Sequence, residues 1–436
     1  MKYYSLNDQH QQKSTVSFRE AMIRGLAPDK GLYFPEKIPQ LETEFLENLP
    51  AYSIEEIAYR VISPFIGKEI DQASLRTIVK ETLDFDIPLV SLAKGIHTLE
   101  LFHGPTMAFK DVGARFMARC LGYFNKDTYD KTVRVLVATS GDTGGAVANG
   151  FLGVPGVEVI ILYPDGMVSD IQERQLTTLG QNITALKVQG NFDDCQRMVK
   201  TAFLDEELQS FNLTSANSIN VARWLPQMFY YFLAIRQLQE NSNTNPVLFS
   251  VPSGNFGNIC AGILASKMGL KIDHFVAATN VNDTIPRYLK EGVYQPETTR
   301  ATIANAMDVS DPSNFVRIEK IYGKQLDLTS ENFSSRAYTD DQTRAAMRAV
   351  LEEYDYTTDP HGAIGYLGAR DTHAADSQLE RIFLETAHPV KFKKEVETTL
   401  NRKLSIPPQI SSLMTLKKDY VVIDNYEQFK SVLMKK

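Results

Sequence analysis

Cysteine is scarce. The 436 residues hold three, Cys120, Cys195 and Cys260, far apart and without C-x-x-C spacing. That excludes a disulfide framework and offers no zinc pattern. The expectation is a cytoplasmic protein with reduced thiols and no metal, so the sequons at Asn182 and Asn212 read as chance matches. Long apolar runs are missing too. The opening stretch, "MKYYSLNDQHQQKSTVSFRE", lacks the apolar core of a secretory signal, and no run is long enough to cross a bilayer, so no membrane is expected as a partner. Basic residues are not in excess: 46 lysines and arginines face 53 aspartates and glutamates, a net charge of −7. That balance argues against a nucleic-acid partner, which would draw on a basic patch. Neither G-x-x-x-x-G-K-[ST] nor G-x-G-x-x-G occurs, so a P-loop and a dinucleotide fingerprint are both excluded.

What is present is the composition of a globular protein, 43% hydrophobic and 23% charged, at a length that suits two or three domains. Residues 1–95 read as an N-terminal domain, in which "SIEEIAYRVISPFIG" has helical apolar spacing that stops near Pro64. From about residue 96 the pattern changes. "TVRVLVATS", "VEVIILYP", "TALKVQG", "NPVLFSVPSG" and "IDHFVAATN" read as strands, and "GAVANGFLG", "DDCQRMVKTAFLDEEL" and "NICAGILASKMG" as helices. Such alternation predicts βαβ units and a parallel sheet covered on both faces. Ligands of these sheets bind at the carboxyl ends of strands.

Three turns occupy such positions. In "ATSGDTGGAVANG" a strand ends at Thr139, and Ser140, Gly141, Asp142, Thr143 and Gly144 lead into a helix whose N-terminus favours negative charge. The same stretch reads equally as a tight βα turn with Asp142 as N-cap. In "SVPSGNFGNICAG", Gly254 and Gly257 bracket Asn255 and Phe256 before another helix. This anion-binding nest has no lysine, which suits a phosphate that stays better than one being transferred. In "LETAHPVKF", Thr386 and His388 follow a strand that Pro389 stops, and Lys391 faces the same side; a surface loop is the alternative. Lys110, in "LFHGPTMAFKD", sits between Phe109 and Asp111. It is either a surface charge lying over apolar neighbours or a pocketed amine. Burial lowers the pKa of an amine and makes it a nucleophile toward aldehydes, pyridoxal phosphate included. A pocketed lysine, a glycine nest and a strand-end hydroxyl are the three anchors that cofactor needs, for its aldehyde, its phosphate and its ring nitrogen.

"HGPTMAFKD", "TSGDTGGAVA", "NSINVARWLPQ", "VPSGNFGN", "TDPHGAIGY" and "TAHPVKF" follow one another in this order. With them the chain resembles the threonine synthases, in the bacterial and fungal type that carries an N-terminal domain. The resemblance runs from "RGLAPDKGLYFPEKIP" to "TAHPVKF". It implies an α/β protein of the fold-type II pyridoxal-phosphate enzymes, similar to tryptophan synthase β and serine dehydratase. Residues 96–436 would then be a catalytic region of two open, twisted α/β subdomains with the cofactor between them. The implied reaction is a carbon–oxygen lyase step, O-phospho-L-homoserine and water giving L-threonine and phosphate, in a monomer or weak homodimer. Lys110 is the implied Schiff-base lysine. Gly254, Asn255, Phe256, Gly257 and Asn258 cradle the cofactor phosphate, and Thr386 meets the pyridine nitrogen. Ser140, Asp142, Thr143, Asn217, Ser218, Asn220 and Arg223 are implied substrate contacts. The substrate's own phosphate needs a second clamp, for which Arg223 stands first, on its planar fork, and Lys391 second. Arg223 reads equally as a helix-surface cation. A dehydratase or β-replacement enzyme of the same fold is the alternative activity. A silent paralogue that only binds cofactor or phosphate would show most simply by lacking the lysine. The chain departs from the family at its start, where an "STRG"-like stretch is absent, and in "DKGLY", where Lys30 replaces the glycine of the usual "DGGLY".

Overall fold

A computed structural model describes residues 1–8, 14–126, 132–208, 210–323, 332–372 and 378–435. The N-terminal part pairs β1 (Tyr3–Ser5) with β2 (Tyr33–Pro35) antiparallel and adds a short helix, Thr43–Glu47, and three longer ones, Phe18–Arg24, Ile54–Ile66 and Gln72–Thr82. Each of the three longer helices is started by a side chain that accepts a backbone N–H of its first turn: Ser17, Ser53 and Asp71, as N-caps do. The second of these does not stop at Pro64. It runs on to Ile66, because a proline in the last turn removes a single hydrogen bond, and Gly67 (φ 67°) closes the end by donating to Ser63 O at 2.8 Å. The turn before β2 keeps Lys30 in the left-handed region, at φ 66°. That is the position where the family usually has glycine.

Two larger sheets follow. One takes β3 (Leu89–Ala93), β4 (Ile96–Glu100), β9 (Val247–Pro252), β10 (His274–Thr279), β11 (Phe333–Ala337) and β12 (Glu380–Glu385), in the order β11-β10-β9-β12-β4-β3. All its neighbours run parallel except the β3–β4 hairpin, whose turn contains residue 95. The other takes β5 (Val133–Ala138), β6 (Val157–Pro164), β7 (Ile183–Val188), β8 (Asn212–Ser215) and β13 (Val421–Ile423), all parallel, in the order β13-β7-β6-β5-β8. The alternation of strands and helices is as the sequence predicts. The helix expected over "DDCQRMVKTAFLDEEL" ends sooner, at Leu204, where Asp205 turns extended; Glu206–Leu208 form a separate 3-10 turn.

Strand order locates the chemistry. In the larger sheet the chain moves outward from β9 to β10 and β11 and then crosses back to set β12 on the other side of β9, beside β4, so β9 and β12 meet at a topological switch point. In the smaller sheet β5 and β8 meet in the same manner. Loops that leave such a pair diverge and open a crevice at the strand ends. The loops after β9, β12, β5 and β8 carry four of the motifs, and the one that bears Lys110 follows β4, the neighbour of β12.

Candidate active site

Hydrogen bonds set Lys110 beside the loop after β12. Leu101 N–H donates to Glu385 O at 2.9 Å, Phe109 N–H to Thr386 O at 2.9 Å and His388 N–H to Met107 O at 3.1 Å. This stitching delivers Lys110 as the first residue of the helix Lys110–Asn125, next to Thr386. The surface-charge reading of Lys110 fails. The residue is half-buried, and loss of solvent around its amine pulls it down to about 8. The Asp142 carboxylate opposes that shift, while Lys391 and Arg223 add to it.

The glycine nest lies at the end of β9. Phe256 takes a left-handed φ of 58° and caps the helix Gly257–Lys267, whose first N–H groups have no intrahelical acceptor. A methyl on Gly254 would sit 2.7 Å from Met307 Cα, so the cradle admits no side chain there. Asn255 is held at both ends, donating to Ser218 Oγ at 2.7 Å and accepting from Ser313 N–H at 2.6 Å. Asn258 accepts from Tyr231 OH at 2.7 Å, and its Nδ2 is buried without a partner. An orphaned amide donor at the first turn of a helix is what a phosphate group satisfies. With a low-pKa amine and the buried hydroxyl of Thr386 near by, the residues present fit pyridoxal phosphate.

The opposite wall is built by the loops of the smaller sheet. Thr139 Oγ1 accepts from Gly141 N–H at 2.9 Å and Gly144 N–H at 2.8 Å, which shapes the turn. Asp142 is not the N-cap; Gly141 is. Its carboxylate instead meets Lys391 Nζ at 2.7 Å and Gln172 Nε2 at 3.0 Å. Burial pushes the Asp142 carboxyl up, but Lys391 and Lys110 outweigh it and hold it well below the usual range. Lys391 is fully buried and also donates to Thr106 O at 2.8 Å, so "LETAHPVKF" is no surface loop. Ser140, Thr143, Asn217 and Ser218 are half-buried. Asn220 is fully buried and its amide is spent on Ala222 N–H, Met22 O and Ser215 O. Arg223 is no helix-surface cation. It is 3% exposed, donates to Ala216 O and leaves Nε unpartnered, and burial lowers its guanidinium to about 10 against the pull of Asp111. Burial also takes His388 down to about 4, and its Nδ1 accepts from Val390 N–H.

Family models match along the chain: "Threonine synthase N terminus" over residues 2–83, "Pyridoxal-phosphate dependent enzyme" over 90–382 and "Threonine synthase, C-terminal" over 362–433. The threonine synthase of Escherichia coli K12 is 43% identical over 412 residues, 94% of each chain. The chain belongs to the threonine synthase family. It is a pyridoxal-phosphate dependent lyase, and the dehydratase alternative falls away. The crystal structure of E. coli threonine synthase superposes with a TM-score of 0.91 and covers 100% of both chains at 41% identity. A pyridoxal-phosphate-bound threonine synthase from Brucella melitensis does so at 0.91 and 36%, covering 100% of this chain and 99% of its own.

Several supporting residues carry no motif. Gln172 and Gln175 reach the site from the helix Asp170–Thr177, Gln175 donating to Thr106 O at 3.0 Å. Only the S-x-x-Q capping box of Ser169 and Gln172 marks that helix in sequence. Asn314 donates to Asn255 O at 3.1 Å, and Arg317 behind it donates to Tyr33 O and Ile219 O. An open pocket of about 320 Å³ beside Tyr4, Phe34 and Lys320 shares no lining residue with the site.

Proposed function

We propose that this site converts O-phospho-L-homoserine and water to L-threonine and phosphate, with Lys110 as the amine that holds the cofactor and then moves the proton at the substrate's Cα. The reading is carried by one juxtaposition. An amine at about 8, a strand-end hydroxyl and a lysine-free phosphate nest meet at the β9/β12 switch point, opposite two buried cations. Pyridoxal phosphate supplies an electron sink for negative charge developed at Cα. An amine with a pKa near the working pH serves as both base and acid there. The first turn of the Gly257–Lys267 helix, with Asn258 Nδ2, holds the cofactor phosphate. The Thr386 hydroxyl, being neutral, leaves the ring nitrogen largely unprotonated, which moderates charge withdrawal.

The substrate's phosphate dianion needs a clamp of its own. Arg223 takes it through the free Nε, in a buried setting where a charge-assisted bond is strong. Lys391 is committed to Asp142 and Thr106 O and acts through them on the turn. Ser140, Thr143, Asn217 and Ser218 stay open enough to contact substrate, whereas Asn220 holds the turn that presents Arg223. The reading includes a cytoplasmic monomer or weak homodimer without nucleic-acid partners, in keeping with three buried free thiols. Incubation of the purified protein with O-phospho-L-homoserine tests it. Equimolar phosphate and threonine are expected, and phosphate without threonine would overturn it. Arg223→Ala should lower kcat/KM for phosphohomoserine by roughly 30-fold to several thousandfold, about 2–5 kcal/mol for a buried charge pair cut on one side. Amino acids without the phosphate should still bind that variant.

A further inference from the structure

The carboxyl of Glu385 has no part in the reading above. It closes β12, is fully buried, and neither oxygen has a hydrogen-bond partner. It lies hard against Gly362, where a methyl group would sit 1.8 Å from Oε1. It faces the carboxyl of Asp359, equally buried, which caps the helix Pro360–Asp371. Asp359 Oδ1 accepts Gly362 N–H at 2.7 Å, and Oδ2 meets His361 Nδ1 at 2.6 Å. The Ala306 N–H donates to the other ring nitrogen, Nε2, at 3.2 Å. Nε2 is therefore the bare nitrogen, and the ring proton sits on Nδ1 and is donated to Asp359. Asp359 is an acceptor at both oxygens. A second carboxylate facing it would set like charges together in a dry site, which proteins avoid by keeping a proton on one of them.

We propose that Glu385 is protonated, donates its proton to Asp359, and serves as a positioning residue. The strut Glu385–Asp359–His361–Ala306 joins the strand end that bears Thr386 to the turn that backs the phosphate nest. Ala306 O and Met307 Cα are the atoms that pack on Gly254. The strut thus runs between the residues assigned to the cofactor's ring nitrogen and to its phosphate, and in that respect it rests on the proposed roles of Thr386 and Gly254. The remaining titratable neighbours supply no counter-charge. Glu100, the partner of Glu385 in the β4–β12 register, is engaged by Tyr356 OH at 2.7 Å and His103 Nε2 at 2.6 Å. His388, just beyond the strand, is held neutral by burial. Among the described residues no group of His, Cys, Asp or Glu is arranged to hold a metal ion. Burial first, then Asp359 and Glu100, raise the Glu385 pKa well above the ordinary range.

The sign of the pH effect follows. Folding takes up a proton on Glu385 between the carboxylate's ordinary range and its raised folded-state value, so the side chain's contribution falls as pH rises across that window. Glutamine keeps the donor and cannot titrate. The melting temperature of Glu385→Gln, measured against wild type, should therefore gain steadily between about pH 5.5 and about pH 8.5. The infrared spectrum of the wild type at neutral pH should show a protonated-carboxyl stretch above the amide I band that Glu385→Gln lacks. Glu385→Ala should bind pyridoxal phosphate roughly tenfold to a hundredfold more weakly, with Glu385→Gln within about twofold of wild type. An absent carboxyl band with a melting gap that does not widen would overturn the proposal, leaving an ionised Glu385 whose counter-ion a sodium and potassium titration would reveal. Unchanged cofactor affinity in Glu385→Ala would also overturn it, by removing the positioning role. The infrared band and the melting gap do not depend on where the cofactor binds. A borohydride label on another lysine would defeat the reading of the site and leave them standing.

Discussion

An amine at about 8 is protonated in most molecules at neutral pH and neutral in most of them two pH units higher. Only the neutral amine attacks an aldehyde, so the rate at which the apoprotein captures pyridoxal phosphate should rise with pH and level off above about 8. Stopped-flow absorbance checks this, and borohydride reduction followed by peptide mapping should find the label on Lys110 alone. A capture rate still climbing near the pKa of a free lysine would mean an exposed amine. Asp142 allows a second test at one residue. Changing it to Asn strands the buried Lys391 ammonium beside Lys110, at a cost of about 3–5 kcal/mol for a buried pair cut on one side. Denaturant unfolding should show most of that regained in Asp142→Asn/Lys391→Met, because an apolar replacement of both partners removes the unpaired charge. Lys30 bears on stability in the opposite direction. Its φ of 66° suits glycine, and Lys30→Gly should stabilise the chain by about 0.5–1 kcal/mol, the left-handed penalty less the added freedom of the unfolded chain. No change in unfolding free energy would show that the surroundings, Asp29 with its bonds to Ser5 and Gly31 above all, have absorbed the strain.

At the scale of elements, the nest after β9 works by what it lacks. Gly254→Ala sets a methyl against the backbone of Met307, which cannot step aside, whereas at Gly257 the nearest atom is Asn314 Nδ2 at 3.2 Å, the end of a side chain. Gly254→Ala should therefore displace the loop itself. Gly257→Asp should act through charge, placing a carboxylate where the phosphate sits. Both should weaken cofactor binding while leaving the melting temperature of the apoprotein within a few degrees, by equilibrium titration and calorimetry. Full cofactor retention by Gly257→Asp at limiting supply would mean the phosphate lies elsewhere. This nest, the turn at Gly141 and the loop after β12 were legible in sequence because each is one contiguous strand–turn–helix unit, with its small residues where backbone must approach a ligand. What holds them was not legible. Asn314 and the Glu385–Asp359 pair come from distant parts of the chain and bear no local signature, the capping box of Gln172 marks a helix and not a site, and "TDPHGAIGY" stood out as a string without disclosing that Asp359 caps a helix and faces a buried acid. The burial of Arg223 was hidden for the same reason, since a four-residue helix has too little periodicity to show which face is inside.

On the scale of the whole molecule, the N-terminal part is not an appendage. One apolar core runs from Tyr3 and Phe18 through Val61 and Ile62 to Leu99, Phe116, Phe249 and Leu384 beneath the larger sheet and takes in Val135, Val159 and Ile161 on one face of the smaller sheet, whose other face keeps a separate core around Leu186, Val199 and Phe429. The only tryptophan, Trp224, lies at the junction, 5.9 Å from the Phe34 ring of β2 and with Arg317 4.2 Å above it. It follows Arg223 directly, so its fluorescence reports whether the N-terminal part is seated on the substrate turn. Ile62→Ala, in the helix Ile54–Ile66, removes a fully buried side chain from that shared core and should cost about 2–5 kcal/mol. If the core is continuous, the loss cannot stay local. Trp224 fluorescence and the absorbance of bound cofactor should melt together, both moved down by a few degrees in the variant. Leu186→Ala, in the core of the smaller sheet, loosens the opposite wall of the site and should move cofactor release without first exposing Trp224. An Ile62→Ala protein in which Trp224 melts early while the cofactor stays bound to the wild-type temperature would show two cores where one is described, and the N-terminal part would then be a domain that the site does without.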